Sequence, residues 1–407
     1  MATLITGLDI GSSEIKCIVA EPQKNGSLSV ITAFKQPSVG VRHGVLVDAE
    51  EALGALDAVV ADLNRISKGA TRNVYVNFQS PEVRSRTSRG VAAVARPDKE
   101  IQPDDIERVT QASRAVKMMP NSFVIHNVVK EYFVDEIGDI MDPLGMTGSR
   151  LEVVTLIVEG FAPQVNPLLK MLEKLRVGVT GVIFNPLASG QAVLSKKQKE
   201  LGVLLIDFGA GTTSIAVYEE GKVLHVKSLP LGAAYVTNDV AIGLKTSIDM
   251  AEKLKTTYGS AIAKDVNRRE MVKLADVDGV TPGEVSRHFL SEIIEVRLSE
   301  ILGLVENELK VLGREVQLPA GVVATGGGVK LPGLLDLVKA ELRLPVQMGF
   351  PNLNEFDIMN PTHKEFLEDP AFASTVGLTL WGFAEERRPQ LNLNAAGLKT
   401  FFRNLMP

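Results

Sequence analysis

The sequence predicts an α/β fold made of two copies of one unit, and three observations carry that prediction. Leu8-Asp9-Ile10-Gly11-Ser12-Ser13-Glu14-Ile15-Lys16 near the start and Ile206-Asp207-Phe208-Gly209-Ala210-Gly211-Thr212-Thr213-Ser214 at the middle share one grammar. In each, an apolar strand (Leu4 to Ile10; Val203 to Phe208) ends at an Asp and a glycine turn with hydroxyl residues. A second apolar strand then leaves, Ile15 to Ala20 or Ile215 to Tyr218. The two copies lie about half a chain apart, as duplication requires. Through the first 80 residues, strands and a helix alternate in an order that suits half of a mixed-sheet domain.

The turns carry the chemistry. Gly11, Ser12 and Ser13 in one, and Gly209, Gly211, Thr212 and Thr213 in the other, let backbone N–H groups converge on an anion, because no bulky Cβ blocks the approach. Asp9 and Asp207 close the strands where Mg²⁺ would sit beside phosphates, directly or through water. One Asp-x-Gly turn would be ordinary, since Asp and Gly are common turn residues. Two copies predict paired hairpins facing each other across one triphosphate.

Composition bounds the rest. At 407 residues the chain has room for two to four globular units, and 45% apolar with 23% charged residues is ordinary for a globular protein. A net charge of −5 gives no global reason to expect nucleic-acid binding. The single Cys17, in an apolar strand, excludes a disulfide framework and multi-cysteine metal sites, and fits a reducing cytosol. The five His residues show no metal-binding spacing. The first residues carry Asp9 and Glu14 within the apolar stretch, unlike a signal peptide. No apolar run approaches the ~20 residues that span a bilayer.

In chain order, Ser27–Phe34 and Gly44–Asp48 read as strands, Ala49–Ile66 as a helix and Asn73–Phe78 as a strand. The stretch 83–162 reads as inserted. It holds a strand over 88–95, a helix opened by Pro103-Asp104-Asp105, and strands over 123–134 and 150–159. His126 reads as a strand residue with a satisfied ring rather than a ligand. Helix 165–175, strand 178–184 and helix 186–195 resume the parent domain. The last of these begins with small residues, Asn185-Pro186-Leu187-Ala188-Ser189-Gly190, which suit either a close helix crossing at a hinge between two lobes or ordinary helix packing.

The second half opens with its hairpin, extended through the Glu219-Glu220-Gly221-Lys222 turn to Gly232. One helical stretch is expected over 235–258. It contains Lys245-Thr246-Ser247, and it places Glu252 and Lys255 on one face, where they suit either the bracketing of a ribose or adenine or a solvated ion pair. Residues 281–313 predict a long amphipathic helix with Phe289, Ile293, Ile294, Leu298, Ile301, Leu302 and Val305 on its apolar side. Gly321–Val329 is a buried strand ending in Gly326, Gly327 and Gly328, before a helix from Leu331. Bare backbone there admits a base or phosphate. The pattern is neither a P-loop nor a dinucleotide fingerprint. A helix over 372–383, with Ala373 and Gly377 on one side, is the expected partner for the Ala188/Gly190 crossing.

Together these pieces resemble the actin/Hsp70/sugar-kinase superfamily, whose actin-like (ribonuclease H-like) fold is a duplicated two-lobe ATPase. Its phosphate-1 motif matches Leu8–Val19, connect-1 Val182–Val193, phosphate-2 Leu205–Val217, the adenosine motif Val323–Leu334 and connect-2 Ala371–Trp381. Within it the chain is similar to the FtsA family of bacterial cell-division proteins. The Asp142-Pro143-Leu144-Gly145-Met146-Thr147-Gly148-Ser149-Arg150-Leu151 segment resembles that family's 1C insertion subdomain, and the Lys245-Thr246-Ser247…Ala251-Glu252-x-Leu254-Lys255 run its nucleotide-binding helix. The resemblance implies subdomain 1A over 1–82 and 163–199, 1C over 83–162, 2A over 200–234 and 315–386, and 2B over 235–314. A linker over 387–396 and an amphipathic membrane-targeting helix over 397–407 complete it.

The third point of likeness is that tail. Leu398, Phe401, Phe402 and Leu405 recur at helical spacing with Lys399 and Arg403 flanking them, as in an interfacial helix. Burying four such side chains gives on the order of 6–10 kcal/mol gross, and anionic lipid adds about 1 kcal/mol per cation. Ordering a short peptide takes much of that back. One tail therefore binds weakly, and many tails on one filament bind firmly.

The resemblance also implies function. ATP would lie between the lobes, with Gly11–Ser13 and Gly209–Thr213 on phosphates and Asp9 and Asp207 near Mg²⁺. Lys16, Gly232, Lys245, Glu252, Lys255 and Gly326–Gly328 would complete the site. It implies actin-like self-assembly through the inserted subdomain, and capture of the FtsZ C-terminal peptide by 2B, where Arg297 matches a tail-binding Arg and a cation suits an acidic peptide. The protein would sit peripherally on the cytoplasmic face of the inner membrane, on anionic lipid. Asn185 stands where superfamily ATPases often carry a carboxylate or Gln. An amide is no general base, so slow or negligible ATP hydrolysis is expected, with Asn185 at most positioning water. Two rivals are a PilM-like pilus-assembly scaffold, which the tail disfavours, and a small-molecule kinase, for which no further cleft carboxylate base is evident. The lone cysteine excludes an iron–sulfur activator ATPase.

Overall fold

The computed structural model describes residues 3–115, 117–313 and 318–387. The duplication is visible strand by strand. In the first lobe, Ile5–Ile10, Glu14–Pro22 and Leu28–Pro37 form an antiparallel meander, and Val74–Phe78 then Val179–Phe184 add in parallel beside Ile5–Ile10. In the second, Val203–Phe208, Thr213–Glu219 and Lys222–Leu229 form the meander, and Val322–Thr325 then Val346–Met348 add in parallel. The all-buried first strand of each lobe has parallel or antiparallel neighbours on both edges, which is why both sequences are unbroken apolar runs.

Several boundaries differ from expectation for identifiable reasons. The stretch 235–258 is two helices, Ala233–Leu244 and Ile248–Tyr258, not one. Lys245 ends the first in a left-handed conformation (φ 52°), and the Ser247 hydroxyl caps the second by accepting from the Met250 N–H. Gly326 (φ 87°) ends its strand, a 3₁₀ turn covers Gly327–Lys330, and the next helix starts only at Leu334. The expected strand over 44–48 is a two-rung hairpin, Val41–Arg42 with Val45–Leu46. The long helix runs Arg287–Leu312, with Leu290 rather than Phe289 in the core. Phe289 is half-exposed.

The inserted unit is a sheet of Arg84–Ala93, Arg150–Phe161, Ser122–Val134 and Ile137–Ile140 covered by helix Pro103–Arg114. It grows out of the first lobe, yet it is bonded to the edge strand of the second. The Ser85 hydroxyl donates to the Val226 carbonyl (3.0 Å), Lys130 Nζ donates to the Leu224 carbonyl (3.4 Å), and Lys222 pairs with Asp139 (2.7 Å). His126 ties it to the first lobe by accepting the Phe184 N–H at Nε2 (2.9 Å), beside the Trp381 ring. That ring is satisfied, as expected.

Two helices cross between the lobes, Asn185–Val193 and Ala373–Arg387. Gly377 is the point of contact: a Cβ there would lie 1.9 Å from the Ala188 carbonyl oxygen. The expected Ala188–Gly377 crossing therefore forms. Gly190 takes no part in it, because it faces the Tyr218 hydroxyl instead. Residues 388–396 of the expected linker, and the tail residues Leu398, Lys399, Phe401, Phe402, Arg403 and Leu405, lie outside the described residues. Among those described, no helix is long and apolar enough to cross a membrane.

Two outcomes follow from this packing. Gly377→Val forces the helices apart and costs about 3 kcal/mol or more of unfolding free energy. Gly303→Ala, in open space on the long helix, raises stability by up to about 1 kcal/mol; comparable melting temperatures for the two variants would refute the crossing. Burial lowers the His126 pKa from 6.5 to about 4. The unfolded chain therefore binds this proton first as pH falls, and the stabilisation present above pH 6.5 is lost between there and pH 4. At pH 5 the loss is about 2 kcal/mol. Denaturant titrations at pH 7.5 and 5 check it: His126→Gln should show a correspondingly flatter response, and equal slopes would refute the assignment.

Candidate functional site

The two hairpin turns are built alike. Residues 11–14 and 209–212 each separate a paired rung (Ile10↔Ile15; Phe208↔Thr213), and each is closed by one bond, Gly11 N–H to Glu14 O (3.1 Å) and Gly209 N–H to Thr212 O (3.0 Å). They face each other closely: a Cβ on Gly211 would meet Ser12 Oγ at 2.4 Å. Between the lobes they help line a cleft of about 730 Å³.

Asp9 and Asp207 stand at its floor, both nearly inaccessible. Burial raises both carboxyls above the ordinary carboxylate range. Asp9 is pulled back by Lys16, whose Nζ lies 3.7 Å away, and pushed further by the like charge of Asp207. Asp207 Oδ2 accepts from Asn185 Nδ2 (3.0 Å), Ser189 Oγ (2.5 Å) and Ser374 Oγ (3.3 Å), which oppose the burial effect. Asn185 is thus held by its amide nitrogen, leaving Oδ1 buried with no hydrogen-bond partner.

The far wall comes from the second lobe. Lys255 Nζ donates to Thr237 Oγ1 (2.8 Å), the Ala233 carbonyl (3.2 Å) and Glu252 Oε2 (2.7 Å), while Thr237 also bonds Glu252. Lys255 is buried and Glu252 half-exposed to the cleft, so they form an anchored pair rather than a solvated one. Gly326 approaches Asp207 so closely that a Cβ would lie 2.4 Å from its Oδ1, and Gly327 and Gly328 continue the lining.

The cleft therefore gathers Asp9, Gly11, Ser12, Ser13, Lys16, Asn185, Asp207, Gly209, Gly211, Glu252, Lys255 and Gly326–Gly328. Four expected residues do not line it. Thr212 and Thr213 are buried beneath their turn. Gly232 packs under it: a Cβ would meet the Ala210 carbonyl at 2.5 Å, and the next amides, Ala233 and Ala234, donate to the Gly209 and Ala210 carbonyls. Lys245 sits at the helix break. Arg297 is elsewhere, on the second lobe's outer helices, engaged by Asp239 and Glu300.

Sequence reasoning missed Gln79, Lys35, Thr237, Lys330 and Ser374 in the lining. Gln79 had a usable signal, since a polar residue just past the carboxyl end of a parallel strand faces the crevice of such sheets. It donates across the lobes to Ser214 Oγ (2.8 Å).

Known proteins match this architecture. A family description, cell division protein FtsA, matches residues 204–377, and a second, the SHS2 domain inserted in FtsA, matches 81–159. Cell division protein FtsA of Pseudomonas aeruginosa is 33% identical over 94% of this chain and 90% of its own length. That of Bacillus subtilis is 33% identical over 86% and 79%. Among solved structures, a chain of a PilM–PilN type IV pilus biogenesis complex superposes with a TM-score of 0.63 at 18% identity, covering 93% of this chain and 98% of that one. MreB5 of Spiroplasma citri bound to ADP superposes at 0.55 and 12% identity, over 95% and 99%. The structural likenesses establish the actin-like fold. At a third identity over nearly its whole length, the chain belongs to the FtsA family of cell division proteins.

Proposed function

We propose that this chain binds ATP with Mg²⁺ in the interlobe cleft, assembles into actin-like filaments on the inner face of the membrane, and tethers FtsZ there. The observation that carries the nucleotide reading is the pair of like-built turns closing one cleft over two buried carboxylates. The donor set fits the group. No cluster of three or more metal-binding side chains exists among the described residues, so a cation here would draw on Asp9 and Asp207 and take its remaining ligands from phosphate and water. When bound, Mg²⁺ would neutralise phosphate charge. Lys16 shares that task, Gly11–Ser13 and Gly209–Gly211 receive phosphates, and Gly326–Gly328 with Glu252 and Lys255 receive the nucleoside. Asn185 Oδ1, an acceptor without a partner, can orient a water but cannot take its proton, which supports slow turnover.

For the FtsZ peptide, Phe289 and Val296 are exposed on one face of the long helix with Ile293 between them, and Ile242 is exposed on the adjoining helix. This apolar strip borders Arg297, whose carboxylate partners an acidic tail would replace. The inserted subdomain is the proposed polymer contact, and the subdomain divisions given above are proposed with it. The tail 397–407 is the proposed anchor on anionic lipid.

Calorimetry with Mg·ATP should detect binding, with little turnover over the same hours. Gly326→Val should abolish binding, because its Cβ enters the Asp207 carboxylate at a left-handed backbone position. Unchanged affinity in that variant, or rapid turnover lost in Asn185→Ala, would contradict this site.

Flotation with anionic vesicles and ATP tests the tether. The full chain should float and recruit FtsZ, while a chain ending at Asn394 should remain in solution. Arg297→Glu should still float but recruit FtsZ poorly. Flotation of neither form would remove the membrane role and favour the pilus-type scaffold.

A further inference from the structure

His43 lies in the short hairpin loop between Arg42 and Val45, on the first lobe, and it reaches the second lobe twice. Its Nδ1 donates to the Gly211 carbonyl (2.8 Å), and its ring stacks on Tyr235 with centroids 5.4 Å apart and planes 30° apart. The next residue, Gly44, donates its N–H to Ser12 Oγ (3.2 Å), so the same loop touches both phosphate turns. The backbone is held to a demanding shape for this. His43 has φ 51°, a left-handed value uncommon for residues other than glycine, and Gly44 follows at φ 71° against the Gln79 carbonyl. Tyr235 in turn lies 6.0 Å beneath the Arg297 guanidinium. A path thus runs from the Arg297 guanidinium over the Tyr235 ring, through His43 stacked on that ring, to the Gly211 carbonyl it bonds.

We propose that His43 is a positioning residue that latches the second phosphate turn onto the first across the lobes, and that Tyr235 behind it couples the state of Arg297 to nucleotide affinity. The coupling rests on the nucleotide and peptide readings above; the latch does not. A guanidinium drawn away by an acidic peptide releases one face of Tyr235, and the ring that His43 leans on is then free to shift. Reciprocity requires that nucleotide closing the cleft alter the affinity at Arg297 by the same factor.

Three substitutions separate the parts. His43→Ala removes both contacts. His43→Asn keeps an N–H at the place of Nδ1 and tolerates the left-handed backbone, but loses the stacking ring. Arg297→Ala perturbs the far end. Hydrogen exchange of the 209–213 amides in the full chain without nucleotide should accelerate about tenfold in His43→Ala and stay near wild type in His43→Asn. Mg·ATP affinity should follow the same order. Arg297→Ala should change Mg·ATP affinity in the wild-type background and leave it unchanged in His43→Asn. Unaltered exchange in His43→Ala overturns the latch, and an Arg297 effect that persists in His43→Asn, or is absent from the wild-type background, overturns the coupling. Should the wild-type chain fail to bind Mg·ATP, the nucleotide reading and the coupling built on it fall together, and the exchange measurement still decides the latch.

Discussion

The Asp207 carboxylate is the constraint on which the arrangement depends. Its Oδ2 accepts from Asn185 and Ser189 on one crossing helix and from Ser374 on the other, while the residue itself ends the central strand of the second lobe. Burial raises its pKa even with those donors in place, and without them it would rise further. With them the carboxyl fixes the angle at which both helices meet the strand, and Ser189 and Ser374 also bond each other (3.0 Å). Gly377 permits the close crossing, and Gly326 permits a strand end to pass Oδ1. The hydroxyls and Gly326 thus converge on one buried carboxyl, and Gly377 lets the helices that carry its donors cross.

The same carboxyl marks where the duplication is not symmetric. Asp9, its counterpart in the first lobe, has a neighbouring ammonium in Lys16, whereas the matching rung of the second hairpin is Asp207↔Ser214. Lys16 acts on both carboxyls, but only Asp207 adds three neutral donors borrowed from the helices between the lobes. The second arrangement stands only while the helices stay crossed, so the Asp207 site reports on the relative position of the lobes in a way that the Asp9 site does not. The inserted sheet senses the same relation, since it grows from the first lobe and is hydrogen-bonded to the edge strand of the second.

Much of this was legible in sequence, where the signal was local. The two Asp-Gly turns, the apolar strands before them and the three glycines before Val329 each depend on a few adjacent residues, and Asp9, Gly11, Asp207, Gly209 and Gly326–Gly328 meet in one cleft. What was hidden depended on contacts far apart in the chain. Ser374 and Gln79 look like ordinary polar residues until a partner at Asp207 or Ser214 is known. Periodicity placed Phe289 in the core, but the helix there turns its Leu290 face inward. Lys245-Thr246-Ser247 read as helix interior. Yet Ser247 is a capping residue type, and a side-chain cap was the overlooked signal for a break.

Asn185 shows what the Asp207 network does to chemistry. A residue placed to activate water needs a free basic atom facing the reacting phosphate. Here the amide nitrogen is spent on Asp207, and the remaining oxygen is an acceptor of negligible basicity. Neither amide atom could take a proton from water, and the bond that holds the connecting helix in place leaves Oδ1 as the side chain's one free acceptor. On the proposed function, such a cleft holds its nucleotide rather than turning it over, and that is the balance required of a filament whose many weak tails must stay bound together at a membrane.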